Sequence, residues 1–298
     1  MTWLLSALRW LSTAVRGGVP KSVGEHVALM RRSWEGMSDA LGFGSISFLD
    51  KPEQQWDRDE FLRVGERFVE RMTERFGQHA PATGLARCSV LEIGCGLGRF
   101  LLPLSHRFGQ VTGVDISPKM LEKARSLVGD RPNVLLRLNN GLDLGDLADD
   151  SFDFCICAGV FHHITSIEVI QSYVREGLRV VRPGGMFLFQ FMGSRTRDAS
   201  GTVSDGVKIT ARSLDSALTG KNYRIREISN DPTDRNATLV VVIEKTQTPV
   251  ADRERLFVRQ QIVQKRWLSG VYDDVKTPVM DQRVPPGKKA ARLTFFDA

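Results

Sequence analysis

Hydrophobic positions recur along this chain with two different periods. Between Asp57 and Phe76 the apolar residues Phe61, Val64, Phe68, Met72 and Phe76 fall three or four apart, with charges between them. That spacing predicts a strong amphipathic helix. Residues 24–40 read as another, followed by a loop at Gly42–Ser45, and residues 78–84 read as a linker. From Cys88 onward the pattern changes. Short apolar runs near 88–93, 110–115, 133–138, 152–158 and 185–191 predict strands, with helices near 97–107, 118–127 and 166–181 between them. Alternation of this kind implies a parallel sheet with helices on both faces. A short helix at Ala211–Leu218 follows. Two strands near 223–229 and 237–244 come next, joined by the turn-rich stretch from Asn230 to Arg235. Residues 192–207 form a long polar loop after the fifth strand, and loops of that length often serve as lids. Residues 251–269 read as one more helix, and the Pro/Lys-rich end as a tail.

The first residues carry a third pattern. In a helix over 2–16, Ser6, Arg9, Thr13 and Arg16 form one narrow polar stripe, while Trp3, Leu4, Leu8, Trp10, Leu11 and Val15 cover most of the rest. A basic amphipathic helix of this kind suits peripheral contact with a membrane interface. Packing on residues 24–76, or on a second copy of the chain in a homodimer, is the commoner fate of such a face. Arg9 and the polar positions break the apolar run that a signal peptide needs. No stretch is apolar for the roughly 20 residues of a membrane span.

The formal charge of +6 is unevenly placed. Arg9, Arg16, Lys21, Arg31 and Arg32 face only Glu25 in the first 32 residues, and the excess returns beyond Lys245, while the middle is mildly acidic. A nucleic-acid enzyme would show a basic domain face or aromatic–basic interleaving, so specific nucleic-acid binding is not expected. The four cysteines, Cys88, Cys95, Cys155 and Cys157, sit in or beside predicted strands. They lack the spacing of a zinc site, so no metal is expected. Buried thiols in a reducing cytoplasm are the simpler reading.

The chemistry concentrates at Val90-Leu91-Glu92-Ile93-Gly94-Cys95-Gly96-Leu97-Gly98-Arg99. A strand breaks into three alternating glycines, which lets the backbone turn sharply and a ligand come close. The next strand ends in Asp115, where nucleoside-binding α/β folds grip a ribose diol. The dinucleotide pattern needs a glycine where this chain has Arg99, and Glu92 would repel a diphosphate. The acid and the glycines instead resemble motif I of the class I S-adenosylmethionine (SAM)-dependent methyltransferases. Three further segments match in order: Val114-Asp115-Ile116-Ser117-Pro118-Lys119-Met120-Leu121, Asp150–Ile164, and Leu178–Phe189 with its Pro-Gly-Gly turn. The resemblance runs from about Trp56 to Lys245.

That resemblance implies a Rossmann-like α/β fold, with a seven-stranded mostly parallel sheet whose last strand is antiparallel. A helical N-terminal region would occupy 1–84, with residues 24–76 capping the site. The SAM-binding domain would span 85–245, and a basic extension 246–298. It implies SAM as cofactor, held by Glu92, Gly94, Gly96, Gly98, Asp115, Ile116, Met120, Asn140, Gly141, Leu142 and Ala158. Asp115 would accept from the ribose, Ile116 and Leu142 would flank adenine, and Asn140 stands where many members carry an acid for the adenine amino group. Asn139 can share that contact. His163 and His162 stand where the fourth strand opens. Either suits a base for a hydroxyl acceptor; bracing the loop is their other reading. The expected reaction is methylation of a small-molecule, lipid or sugar acceptor at oxygen. An RNA or protein methyltransferase, and a SAM-binding partner protein without chemistry, are the alternatives.

Overall fold

The computed structural model describes residues 20, 22–41, 58–77, 84–199, 201, 203, 206–230 and 238–264. The expectations for 2–16, 42–45, the linker 78–83 and the chain beyond Gln264 lie outside these residues. The elements run α1 (Val23–Leu41), α2 (Arg58–Gly77), β1 (Ser89–Ile93), α3 (Leu101–Ser105), β2 (Gln110–Asp115), α4 (Pro118–Val128), β3 (Val134–Leu138), β4 (Phe152–Cys157), α5 (Ile167–Val180), β5 (Val181–Ser194), β6 (Lys208–Thr210), α6 (Ala211–Ala217), β7 (Tyr223–Asn230), β8 (Thr238–Lys245), α7 (Asp252–Arg255) and β9 (Val263–Gln264).

The strands form one sheet in the order β3-β2-β1-β4-β5-β8-β7-β9. Strands β1 to β5 are parallel neighbours, and β8 runs antiparallel to both β5 and β7. The expected seven strands are present; β6 beside β5 and β9 beside β7 are short additions. Strand periodicity splits the core in two, because successive side chains point to opposite faces. Leu91, Cys155, Cys157, Phe187 and Phe189 share one cluster with α5. Val90, Phe154, Ile156, Met186 and Leu188 share the other with α2. Both thiols of Cys155 and Cys157 thus lie on one face, buried and unbridged.

Helix α2 is part of the sheet's packing layer. Phe76 stacks on Phe154 with centroids 4.5 Å apart, and Phe68 on Phe100 at 4.4 Å. Of the two helices expected to cap the site, α1 alone reaches it. Ser117 accepts from Met120 N with Pro118 in the first turn of α4, and Ser166 caps α5.

Three expectations need correction. The helix near 97–107 is turns over 96–100 and then only α3, since the chain wraps the strand ends before it coils. The polar loop 192–207 begins as strand: Met192–Ser194 pair with β6, and Ala199 bridges Lys208. The helix expected over 251–269 is α7, a 3-10 turn at Phe257–Arg259, and β9, as far as Gln264. Buried Phe257 stacks beside Tyr223, and Asp215 accepts from the Phe257 and Val258 amides. That anchor draws the segment onto the sheet edge, against its helical pattern.

Candidate active site

Strand order reverses between β1 and β4, and ligands of open α/β sheets bind outside the carboxyl ends at such a switch point. The glycine loop leaves β1 there. Gly94 and Cys95 donate backbone N–H groups to Val114 O at 2.8 and 3.0 Å, folding the loop over the end of β2. Gly94 has φ 70°, and a Cβ on it would lie 2.5 Å from the Val160 side chain. Glycine is required twice over: for the left-handed backbone and for the approach to the β4 loop. Gly98 plays a different part. It does not line the cavity, and the place of its missing Cβ is 3.3 Å from the Ala124 Cβ of α4, so it serves close helix packing.

A cavity of about 690 Å³, its open mouth included, lies over these strand ends. Of the residues expected to hold cofactor, Gly94, Gly96, Asp115, Ile116, Met120 and Gly141 line it. A second hollow of about 360 Å³ adjoins it and is lined by Glu92, Arg99 and Ala158. Trp34, Gly94, Gly96, Gly159 and His163 line both, and so mark the junction.

Asp115 is 8% exposed. Gly96 N donates to its Oδ2 at 2.8 Å and Ser117 N to its Oδ1 at 2.9 Å. Burial raises its pKa to about 6, against the pull of these amides. Glu92 is buried on the β1 side. Burial lifts its pKa well above the carboxylate range, while Arg99 opposes the rise. Its Oε2 receives no hydrogen bond among the described residues.

Asn140 and Leu142 stand apart from the cavity lining. The Asn140 Oδ1 accepts from the Leu142 and Asp143 amides and its Nδ2 donates to Asp143 Oδ1, so this side chain caps an exposed turn. Leu142 is 37% exposed. Asn139 lines the cavity instead, held by Tyr173 Oη and Gly141 N on its oxygen and by Asp143 O on its nitrogen. An Asn-Asn pair in sequence does not say which amide turns outward; the local turn decides it.

The two histidines are also separated. His163 lines both hollows, whereas His162 lines neither. The His163 Nδ1 lies 2.8 Å from Val203 O. A carbonyl only accepts, so the proton sits on Nδ1 and the neutral ring leaves Nε2 unprotonated. Burial lowers the His163 pKa to about 4, partly offset by that hydrogen bond. His162, packed on His163 with centroids 4.1 Å apart, is driven well below its usual pKa by burial and then by its neighbour. The segment after β5 therefore braces this corner: Val203 bonds His163, Val207 N donates to Ile164 O, and Gly206 lies against the His162 carbonyl.

Sequence reading missed Met30, Trp34 and Tyr173 as lining residues. Val27, Met30 and Trp34 do form an apolar stripe at helical spacing, but such a stripe reads equally as core.

Residues 91–189 match the protein family described as Methyltransferase domain. The chain is 35% identical over 96 residues to demethylmenaquinone methyltransferase of Tropheryma whipplei (strain Twist), covering 32% of this chain and 38% of that protein. It thus spans well under half the length of that relative. It is 29% identical over 192 residues to a ubiquinone biosynthesis O-methyltransferase of Mesorhizobium japonicum, covering 62% of this chain and 74% of the relative. Among solved structures, magnesium protoporphyrin IX methyltransferase of Synechocystis PCC 6803 with bound SAM superposes with a TM-score of 0.54 at 15% identity, over 76% of this chain and 100% of that one. Phosphoethanolamine N-methyltransferase 1 of Haemonchus contortus gives 0.56 at 15% identity, over 78% and 51%. Residues 91–189 thus match a methyltransferase domain, and the strand order, with the glycine loop at the switch point, is that of the Rossmann-like fold that the SAM-bound Synechocystis enzyme shares.

Proposed function

We propose that the chain transfers a methyl group from SAM to an oxygen of a small-molecule acceptor. The observation that carries this reading is Asp115: a buried carboxylate at the end of β2, each oxygen oriented by a backbone amide, facing a cavity floored by the glycine loop. After those bonds each oxygen keeps a free lone-pair direction, which matches the two donors of a ribose diol. Ile93, Val114, Ile116 and Met120 supply an apolar wall of the kind adenine fills. Glu92 Oε2 is a buried polar atom without a hydrogen-bond partner among the described residues, which an ordered water or a polar group of the ligand would satisfy. When bound, SAM supplies a methyl group activated by its sulfonium for in-line displacement.

The chain's own part is alignment, exclusion of water, and custody of one proton. Trp34 and His163 stand at the junction of the two hollows, between the nucleoside side at Asp115 and the Glu92 side. His163, neutral at physiological pH with Nε2 unprotonated, takes the proton of the acceptor hydroxyl there. A base of pKa about 4 suits a phenolic or enolic hydroxyl better than an alkyl alcohol. The relatives named as a demethylmenaquinone methyltransferase and a ubiquinone biosynthesis O-methyltransferase support a small-molecule acceptor. The test is transfer from methyl-labelled SAM to hydroxylated aromatic compounds and cell extracts, with the labelled product identified. An O-methyl product supports the reading. Label on nitrogen or carbon, or no transfer to any acceptor, contradicts it.

A further inference from the structure

Helix α1 touches both ends of the site. Near its start, His26 Nδ1 lies 2.7 Å from Thr165 Oγ1, beyond β4. In its middle, Val27 lies against Gly141 and Met30 lines the cavity. Toward its end, Trp34 meets His163 edge to face with centroids 4.9 Å apart, and the next residue, Glu35, reaches α4. The Ser117 hydroxyl donates to Glu35 Oε1 at 2.5 Å, and Lys119 N lies 3.4 Å from the same oxygen. Lys123 Nζ donates to Ser38 O just beyond.

Ser117 is fully buried and in use on all sides. Its hydroxyl accepts from Met120 N at 3.1 Å while donating to Glu35, and its amide donates to Asp115 Oδ1. A hydroxyl has one proton to give, so Glu35 settles its rotamer. An acid is a costly choice for a mere staple here, because its charge works against ionisation of Asp115. Its carboxylate does make the strongest available acceptor for a buried hydroxyl.

We propose that Glu35 is a positioning residue: through Ser117 it fixes Asp115, and it ties the seating of α1, and so of Trp34 over His163, to the nucleoside end of the cavity. This rests on the reading of Asp115 as the ribose acid. Binding at one end then orders the helix that closes the other.

The test is a double-mutant cycle on the full chain, read as Kd for S-adenosylhomocysteine (SAH) by calorimetry. Glu35→Leu should raise Kd by about tenfold, the scale of one lost hydrogen bond to a charged group. Glu35→Gln, whose amide oxygen still accepts from Ser117, should stay within about twofold. In an Asp115→Asn background, Glu35→Leu should cost less than about twofold, because coupled residues are not additive. Amide exchange over Val23–Leu41 should slow with SAH in the wild type and in Glu35→Gln, but not in Glu35→Leu. Equal factors in both backgrounds, or a Glu35→Gln as weak as Glu35→Leu, would overturn the proposal. Wild type that fails to bind SAH would sink the cofactor reading itself. Wild type that binds while Glu35→Leu binds equally well would sink the proposal for Glu35 alone.

Discussion

Asp115 shows how one side chain can carry both a site and a pH dependence. Burial raises its pKa from 3.8 to about 6 in the free protein. The stability tied to its protonated form is present below the unfolded value and is lost as pH rises through about 6. A ribose diol donating to it favours the ionised form. SAH affinity should therefore be full above about pH 7 and weaken as pH falls through about 6, which calorimetry across that range checks. Asp115→Ala should flatten this profile and weaken SAH by about 1.5–3 kcal/mol. His163 should behave in the opposite sense for affinity and rate. His163→Gln should leave the SAH Kd within about twofold while lowering the transfer rate by about a hundredfold, a modest general-base effect. A full rate in that variant would mean that alignment alone suffices.

At the scale of elements, α2 makes the sharpest stability test. The place of the missing Cβ of Gly65 lies 2.2 Å from Arg99 O, so the helix sits on the glycine-loop exit as closely as backbone allows. Gly65→Ala should cost about 1–3 kcal/mol of unfolding free energy by overpacking, measured in urea, despite alanine's better helix propensity. Such contacts explain what was legible in the sequence. Short apolar runs place β1 to β4 closely, and the helical spacing places α4 and α5, because burial acts locally; β5 instead runs from Val181 to Ser194, well past both ends of the 185–191 run, through its pairing with β4, β8 and β6. The segment after Lys245 read as helix because its pattern is helical, but Asp215 and the pocket for Phe257 are remote in sequence and outweigh it. The site divides in the same way. Gly94, Gly96 and Asp115 come from one continuous motif and meet as expected. Met30 and Trp34 come from a helix whose stripe could equally have faced the core. Asn139 and Asn140 differ only in how one turn bonds its own amides.

For the whole molecule, no helix among the described residues is long and apolar enough to cross a membrane. The narrow polar stripe of residues 2–16 remains a candidate for peripheral contact with a membrane or a second copy. If that stripe meets a membrane, co-sedimentation with anionic vesicles retains the full chain and releases a version starting at Lys21; if both stay in the supernatant, the membrane reading fails, and a smaller oligomer on truncation points to the second copy. The parallel sheet, the glycine loop and α1 build the cavity together, and SAM is its proposed occupant. Titration calorimetry of SAH and of NADH against the wild type and Asp115→Ala tests it most directly. The account predicts that SAH binds the wild type, that Asp115→Ala binds it more weakly, and that NADH binds poorly to both. SAH affinity unchanged in Asp115→Ala, or NADH bound more tightly than SAH, would contradict it.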